Sequence, residues 1–281
     1  MGYPMAGHVI RAGMNVCVYN RTVSKAEKWV KQFGGNLALT PAAAAAGCDV
    51  VLVCVGNDDD VRSVVLGNEG ALAGMDEGKI LVDHTTASAE LARELDAATR
   101  AQGKEFLDAP VSGGQAGAEN GILTVMIGGE EGTYEVARPV IDSYSRFNRL
   151  LGPAGNGQLA KMVNQICIAS VVQGLAEGLD FARRAGLDGE SLIETISKGA
   201  ASSWQMENRY QTLLKLMGGH QRHSPKYKAY LAESIQKKSG LHHFVRGIAS
   251  SPCSMSKETS LSTCWPERAT LSACAESIVV I

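Results

Sequence analysis

Five short runs dominated by Val, Ile and Leu punctuate the first half of the chain: "NVCVYN" (15–20), "DVVLVCVG" (49–56), "KILVDHT" (79–85), "EFLDAPVS" (105–112) and "LTVMIGG" (123–129). Stretches of helical character separate them, at 23–33, 41–47, 58–66, 88–102 and 130–143. No other feature constrains the fold so strongly. Near-continuous apolar runs mark strands buried on both faces. Strands alternating with helices imply an open parallel sheet with helices packed on each side. Ligands of such sheets bind beyond the carboxyl ends of the strands.

The pattern changes after "GPAGNG" (152–157). The segment "QLAKMVNQICIASVVQGLAEGLDFARRAG" (158–186) contains no proline and is apolar on most sides. As one helix of about 29 residues it would span roughly 43 Å. Such a helix needs cover on several faces, from its own domain or from a second subunit. "LDGESLIETISKGAASSW" (187–204) then reads as a capped helix. From about Leu213 helical periodicity is lost, while Ser, Cys, Lys and His become frequent. Three regions are therefore expected: 1–153 as a nucleotide-binding α/β domain, 154–212 as a helical domain, and 213–281 as an atypical tail of the kind a shifted reading frame produces.

Composition excludes some classes. A net charge of -2 provides no electrostatic case for nucleic acid as a partner. No apolar run approaches the roughly 20 residues needed to cross a bilayer, so no membrane partner is expected. The opening residues lack the charged and apolar regions of a signal peptide. Seven cysteines, an odd number without a CxxC pair, fit reduced thiols and a cytoplasmic location. His220-x-x-His223 and His242-His243 have no third ligand near them in sequence, and no metal is expected.

The chain opens "MGYPMAGHVIRAGMNVCVYNRT", a helix followed by a strand, which is half of a dinucleotide-binding unit. Asn20, Arg21 and Thr22 follow that strand, where an acidic residue would hold the ribose of NAD and an arginine can pair with the 2′-phosphate of NADP. The bland alternative is a turn with a solvated arginine. In "DAPVSGG" (108–114), Ser112, Gly113 and Gly114 end a strand in a turn whose hydroxyl and N–H groups suit a small carboxylate. An ordinary glycine turn would look the same. Lys161 lies near the start of the long apolar helix, with Asn164 and Gln165 one turn on and on its face. Set in an apolar wall, a lysine has a depressed pKa and can exchange a proton with a carbonyl oxygen. A solvated helix lysine is the alternative. Thr85, Thr86 and Ser88 sit where a cofactor ribose would pass, and they serve equally well as helix caps.

Taken together, "MGYPMAGHVIRAG", "NRT", "DAPVSGG", "LTVMIGG" and "GPAGNGQLAKMVNQ" stand in the order and spacing of the β-hydroxyacid dehydrogenase family, and the chain resembles that family over about 1–212. The family includes 3-hydroxyisobutyrate dehydrogenase, tartronate semialdehyde reductase and glyoxylate/succinic semialdehyde reductase. The resemblance implies an α/β Rossmann-type dinucleotide-binding domain followed by an all-α domain with a long central helix. It implies hydride transfer between NADP(H), with NAD(H) as the alternative, and a small β-hydroxyacid or semialdehyde. Lys161 would be the acid/base and Asn164 would position the substrate, with Gln165 beside it. Ser112, Gly113 and Gly114 would hold the substrate carboxylate. Gly2, Asn20, Arg21, Thr22, Val55, Gly56, Asp60 and Thr86 would bind the cofactor. A homodimer or homotetramer is implied. The similar 6-phosphogluconate dehydrogenases need extra basic residues for a substrate phosphate, and imine reductases usually lack the lysine. A non-catalytic member that keeps only the fold and the dimerising helix is the non-enzyme alternative.

The family opens with a strand and G-x-G-x-x-G-x-P-M-A, of which this chain shows only the end, from Gly2. The first strand lies mid-sheet, between the second and the fourth. Truncation at the N-terminus, two unpaired edges inside the sheet and weak cofactor binding are therefore expected unless another segment fills the gap. The family's later Lys-Asp helix has no counterpart after residue 212.

Overall fold

The computed structural model describes residues 1–217 and 277–280. They form two compact units, one of Met1–Ala160 with the C-terminal strand, the other beginning at Lys161.

In the first unit, α1 (Gly2–Arg11) leads into β1 (Asn15–Val18), α2 (Val23–Phe33), β2 (Asn36–Leu37) and α3 (Pro41–Ala45). Then come β3 (Val50–Val53), α4 (Asp58–Leu66), α5 (Ala71–Gly74), β4 (Ile80–Asp83) and α6 (Ala89–Arg100). The unit continues through β5 (Glu105–Asp108), β6 (Val111–Ser112), α7 (Gly114–Glu119), β7 (Leu123–Gly129), α8 (Glu131–Asp142) and β8 (Ser145–Leu150). The last described strand is β9 (Ser277–Val280).

Side-chain caps set several helix starts. Thr40 accepts from the Ala43 N–H ahead of Pro41, Asn57 from the Asp60 N–H, and Ser88 from the Leu91 N–H. Asp58, Asp59 and Asp60 also place negative charge at the positive end of α4.

The strand order is β2-β1-β9-β3-β4-β5-β7-β6, with β8 on β7. β9 lies parallel between β1 and β3, with Val279 opposite both Cys17 and Val51. The position expected to be vacant is thus filled from the C-terminal end of the chain, and the unpaired edges do not arise. "SIVV" can serve there because a β-branched apolar run suits a strand enclosed on both sides. The expected parallel sheet also requires correction. β7 runs antiparallel to β5 and to β6, because only a short connection through α7 separates β6 from β7 and no crossover helix returns the chain.

Alternate residues of each central strand point to opposite faces. Val50 and Leu52 join a core with Met5, Val9, Trp29 and Ile127, whereas Val51 and Val53 join one with Val61, Leu91, Leu95 and Phe106. All four residues of β3 are buried, as the continuous apolar run requires. Gly7 gives α1 its approach to α2: a Cβ there would come within 2.8 Å of the Phe33 ring. The Trp29 indole N–H donates to the Tyr3 carbonyl across the same contact, at 3.0 Å.

α9 (Asn156–Arg184) runs as one helix of 29 residues through the division between the units. Its length and composition, with a mean hydropathy of 1.3 over its most apolar window, would suffice to cross a membrane. The helix is thus more apolar than expected, since the polar residues scattered along the segment do not outweigh the rest. In the second unit, α10 (Gly189–Ile196) starts at Asp188, whose carboxylate accepts from the Ser191 N–H. Ile193 joins Leu175, Leu179, Met206 and Leu213 in a core with α11 (Trp204–Met217). The helix α11 thus continues past the loss of periodicity seen near Leu213. The histidine pairs at 220/223 and 242/243 lie outside the described residues, and so does most of the tail.

Candidate active site

The carboxyl ends of β1 and β3 and the start of α1 surround a cavity of about 490 Å³. Its lining includes Gly2, Asn20, Arg21, Thr22, Val55, Gly56 and Asp60, all assigned to the cofactor by the family resemblance. Thr86 is not among the lining residues, and Lys25 and Cys54 are further members of the wall. The Asn20 carboxamide accepts from the Thr22 N–H at 2.9 Å and shapes the turn that carries Arg21. The Arg21 side chain is 86% exposed and stands 3.5 Å from Asp60. An ion pair this exposed is weak, so the guanidinium is available to a phosphate. A Cβ on Gly56 would lie 2.5 Å from the Asp60 carboxylate, which would have to swing aside. A wall combining apolar residues, two cations and a helix start suits a dinucleotide.

Ser112 ends β6, and Gly113 and Gly114 begin α7 rather than an open turn. Both glycines have positive φ, 134° and 65°, a backbone that favours glycine. Ser112 is half-buried, and the two glycines are exposed.

Lys161, Asn164 and Gln165 belong to the second unit and follow one another on α9. Lys161 and Gln165 are buried, and the Asn164 amide donates to the Gln165 carbonyl oxygen at 3.1 Å.

A buried polar cluster at the ends of β4 and β5 was not foreseen from the sequence. Asp83 and Asp108 lie opposite each other in register, both essentially inaccessible. Burial pushes the Asp83 carboxyl up to about 7, against the hydrogen bonds it receives from Thr85. Burial also raises Asp108, opposed by N–H groups at Gly155 and Gln158. Between them, His84 contacts the Ala109 carbonyl through Nδ1 at 2.7 Å and the Tyr144 hydroxyl through Nε2 at 2.9 Å. A carbonyl can only accept, so Nδ1 carries the proton and Nε2 accepts from Tyr144. Burial lowers this imidazole to about 4 and keeps it neutral. Gln158 is buried beside the cluster. The available signal was the acidic residue closing each of "ILVD" and "EFLD" at adjacent strand ends. Among the described residues no group of His, Cys, Asp and Glu could hold a metal ion.

The fold and cavity are those of a dinucleotide-binding α/β protein. A family model for the NAD binding domain of 6-phosphogluconate dehydrogenase matches residues 1–163. A second, for the NAD-binding region of NADP-dependent 3-hydroxyisobutyrate dehydrogenase, matches 155–218. The chain belongs to the NAD(P)-dependent β-hydroxyacid dehydrogenases of the 3-hydroxyisobutyrate dehydrogenase type. It is 64% identical over 213 residues to an uncharacterized oxidoreductase of Shewanella frigidimarina, covering 76% of this chain and 73% of that one. It is 44% identical over 216 residues to the probable 3-hydroxyisobutyrate dehydrogenase-like 1, mitochondrial, of Arabidopsis thaliana, covering 76% of this chain and 64% of that protein. Among solved structures, Mycobacterium tuberculosis 3-hydroxyisobutyrate dehydrogenase with L-serine superposes with a TM-score of 0.68 at 25% identity, covering 87% of this chain and 95% of that one.

Proposed function

We propose that this chain transfers a hydride between NADP(H) and a small β-hydroxyacid or its semialdehyde, with Lys161 as the acid/base. The observation that carries this reading is Lys161 itself, a lysine only 7% exposed on a helix that also buries Gln165 one turn on. When bound, the dinucleotide supplies the carbon that gives or takes the hydride. Lys161 gives or takes the hydroxyl proton, and Asn164 orients the hydroxyl, with Gln165 beside it. Ser112, Gly113 and Gly114 hold the carboxylate and so set the preference for a small acid. Arg21 and Lys25 in the cavity wall favour the 2′-phosphate of NADP. Exposed Val163, Ile166, Val171 and Phe181 along α9 support assembly as a homodimer or homotetramer. The thiols of Cys17, Cys48, Cys54 and Cys167 are free, in accord with a reducing, cytoplasmic setting.

The test is Lys161→Ala, assayed with NADPH and a panel of small semialdehydes. Loss of a positioned acid/base should lower kcat by about 10²- to 10⁴-fold and leave NADPH binding intact. Turnover at the parental rate would refute the assignment.

A further inference from the structure

The first turn of α9 is held by two buried side chains, Asp108 and Gln158. Early N–H groups of a helix have no partner within it. Here the Asp108 carboxylate accepts from the Gly155 N–H at 2.7 Å with one oxygen and from the Gln158 N–H at 2.8 Å with the other. The buried Gln158 side chain is satisfied at both ends: its amide donates to the Thr85 carbonyl at 2.8 Å, and its oxygen accepts from the Ala87 N–H at 3.0 Å. Thr85 in turn accepts from the Val55 N–H through its hydroxyl at 3.1 Å. Val55 is in the cavity wall. A continuous polar chain therefore runs from the cavity wall through Thr85 and Gln158 to the helix start. Space is as restricted as polarity, since a Cβ on Gly157 would lie 2.6 Å from the carbonyl oxygens of both Asp108 and Met126. The first turn can neither slide nor rotate without breaking several of these bonds. Lys161 follows Gln158 by three residues on the same helix.

We propose that Gln158 is a positioning residue: with Asp108 it fixes the first turn of α9 to the 85–87 loop, so that filling the cavity sets the orientation of Lys161. This rests on the reading of Lys161 as the acid/base. The decisive variant is Gln158→Met, which keeps the length of the side chain and removes both of its hydrogen bonds. We expect kcat to fall at least tenfold with KM for the semialdehyde changed less than threefold, and the alkaline limb of the kcat profile to move by half a pH unit or more. A role confined to stability would lower the melting temperature and leave kcat and the limb where they are; that result in the folded variant overturns the proposal. A second measurement needs no variant. Hydrogen exchange of the parent protein with saturating NADPH should slow at least fivefold in peptides covering 155–162, and unchanged exchange there, with binding confirmed by titration, also overturns it. The two readings separate cleanly. An active Lys161→Ala removes the acid/base assignment and this inference with it, whereas an inactive Lys161→Ala beside a parental Gln158→Met removes this inference alone.

Discussion

The adjacent residues Asp83 and His84 lead to an opposed pair of pH dependences. In the unfolded chain His84 protonates near 6.5, but in the folded protein burial holds it neutral down to about 4. As pH falls through this window the unfolded state takes up a proton that the native state refuses, and native stability declines by about 1.4 kcal/mol per pH unit, about 3 kcal/mol in full. Asp83 acts in the reverse sense. It ionises near 3.8 when unfolded and near 7 when folded. As pH rises between these values the unfolded state releases a proton that the native state keeps, and stability declines by the same amount per unit, about 4 kcal/mol in full. Between about pH 4 and 6.5 the two slopes cancel.

Substitution separates them. Relative to the parent, His84→Gln should lose about 3 kcal/mol as pH rises from about 4.5 to 6.5, because only the Asp83 slope remains. Asp83→Asn should gain about the same over that interval, because only the His84 slope remains. Urea unfolding at several pH values, followed by tryptophan fluorescence, provides the free energies. Taking each variant against the parent removes what carboxylates not coupled to Asp83 contribute. Each substitution also carries a pH-independent cost for its lost hydrogen bonds, so the slope of the difference is the informative quantity. Difference curves that are flat for both variants, or that slope the same way, would refute burial as the common cause of the two shifts.

Other outcomes follow from single features of the fold. Val279→Pro removes a backbone donor from a strand paired on both sides, and the orphaned acceptor alone should cost about 1–3 kcal/mol, measurable as a lowered urea midpoint. Gly157→Ala forces a methyl group against two carbonyl oxygens and should destabilise by about 1–3 kcal/mol; a melting temperature equal to that of the parent would contradict the close packing at the start of α9. Arg21→Ala should reduce the ratio of NADPH to NADH affinity by about tenfold, corresponding to about 1.4 kcal/mol, as read by titrating both cofactors.

Much of the α/β unit is legible in the sequence because its elements announce themselves locally. The run "VVLV" must be buried on both faces, and the helix from Asn156 to Arg184 shows its length through a helical pattern that no proline interrupts. β8 escaped notice because "SRFNRL" is a largely exposed strand with only one partner, and it carries no apolar run. β7 looks like any other buried strand, and its reversed direction depends on the connection that precedes it, not on its composition.

The candidate site divides in the same way. Residue type and spacing alone single out Asn20–Thr22, the Ser112–Gly114 turn and Lys161 with its neighbouring amides, since a cation beside a turn, paired glycines and a lysine among apolar residues each carry recognisable chemistry. Only the tertiary structure assigns the roles of Asp83, His84, Asp108 and Gln158. Burial and hydrogen bonds between residues 71 to 73 apart, as for Gln158 with Ala87 and Thr85, depend on sheet register and helix docking and leave no local mark. The same is true of β9. Three apolar residues in a row near the C-terminus determine a preference for an extended, enclosed strand. That the enclosure is the slot between β1 and β3 was decided by the fold, because both neighbours there have backbone donors and acceptors that must be paired once they are buried.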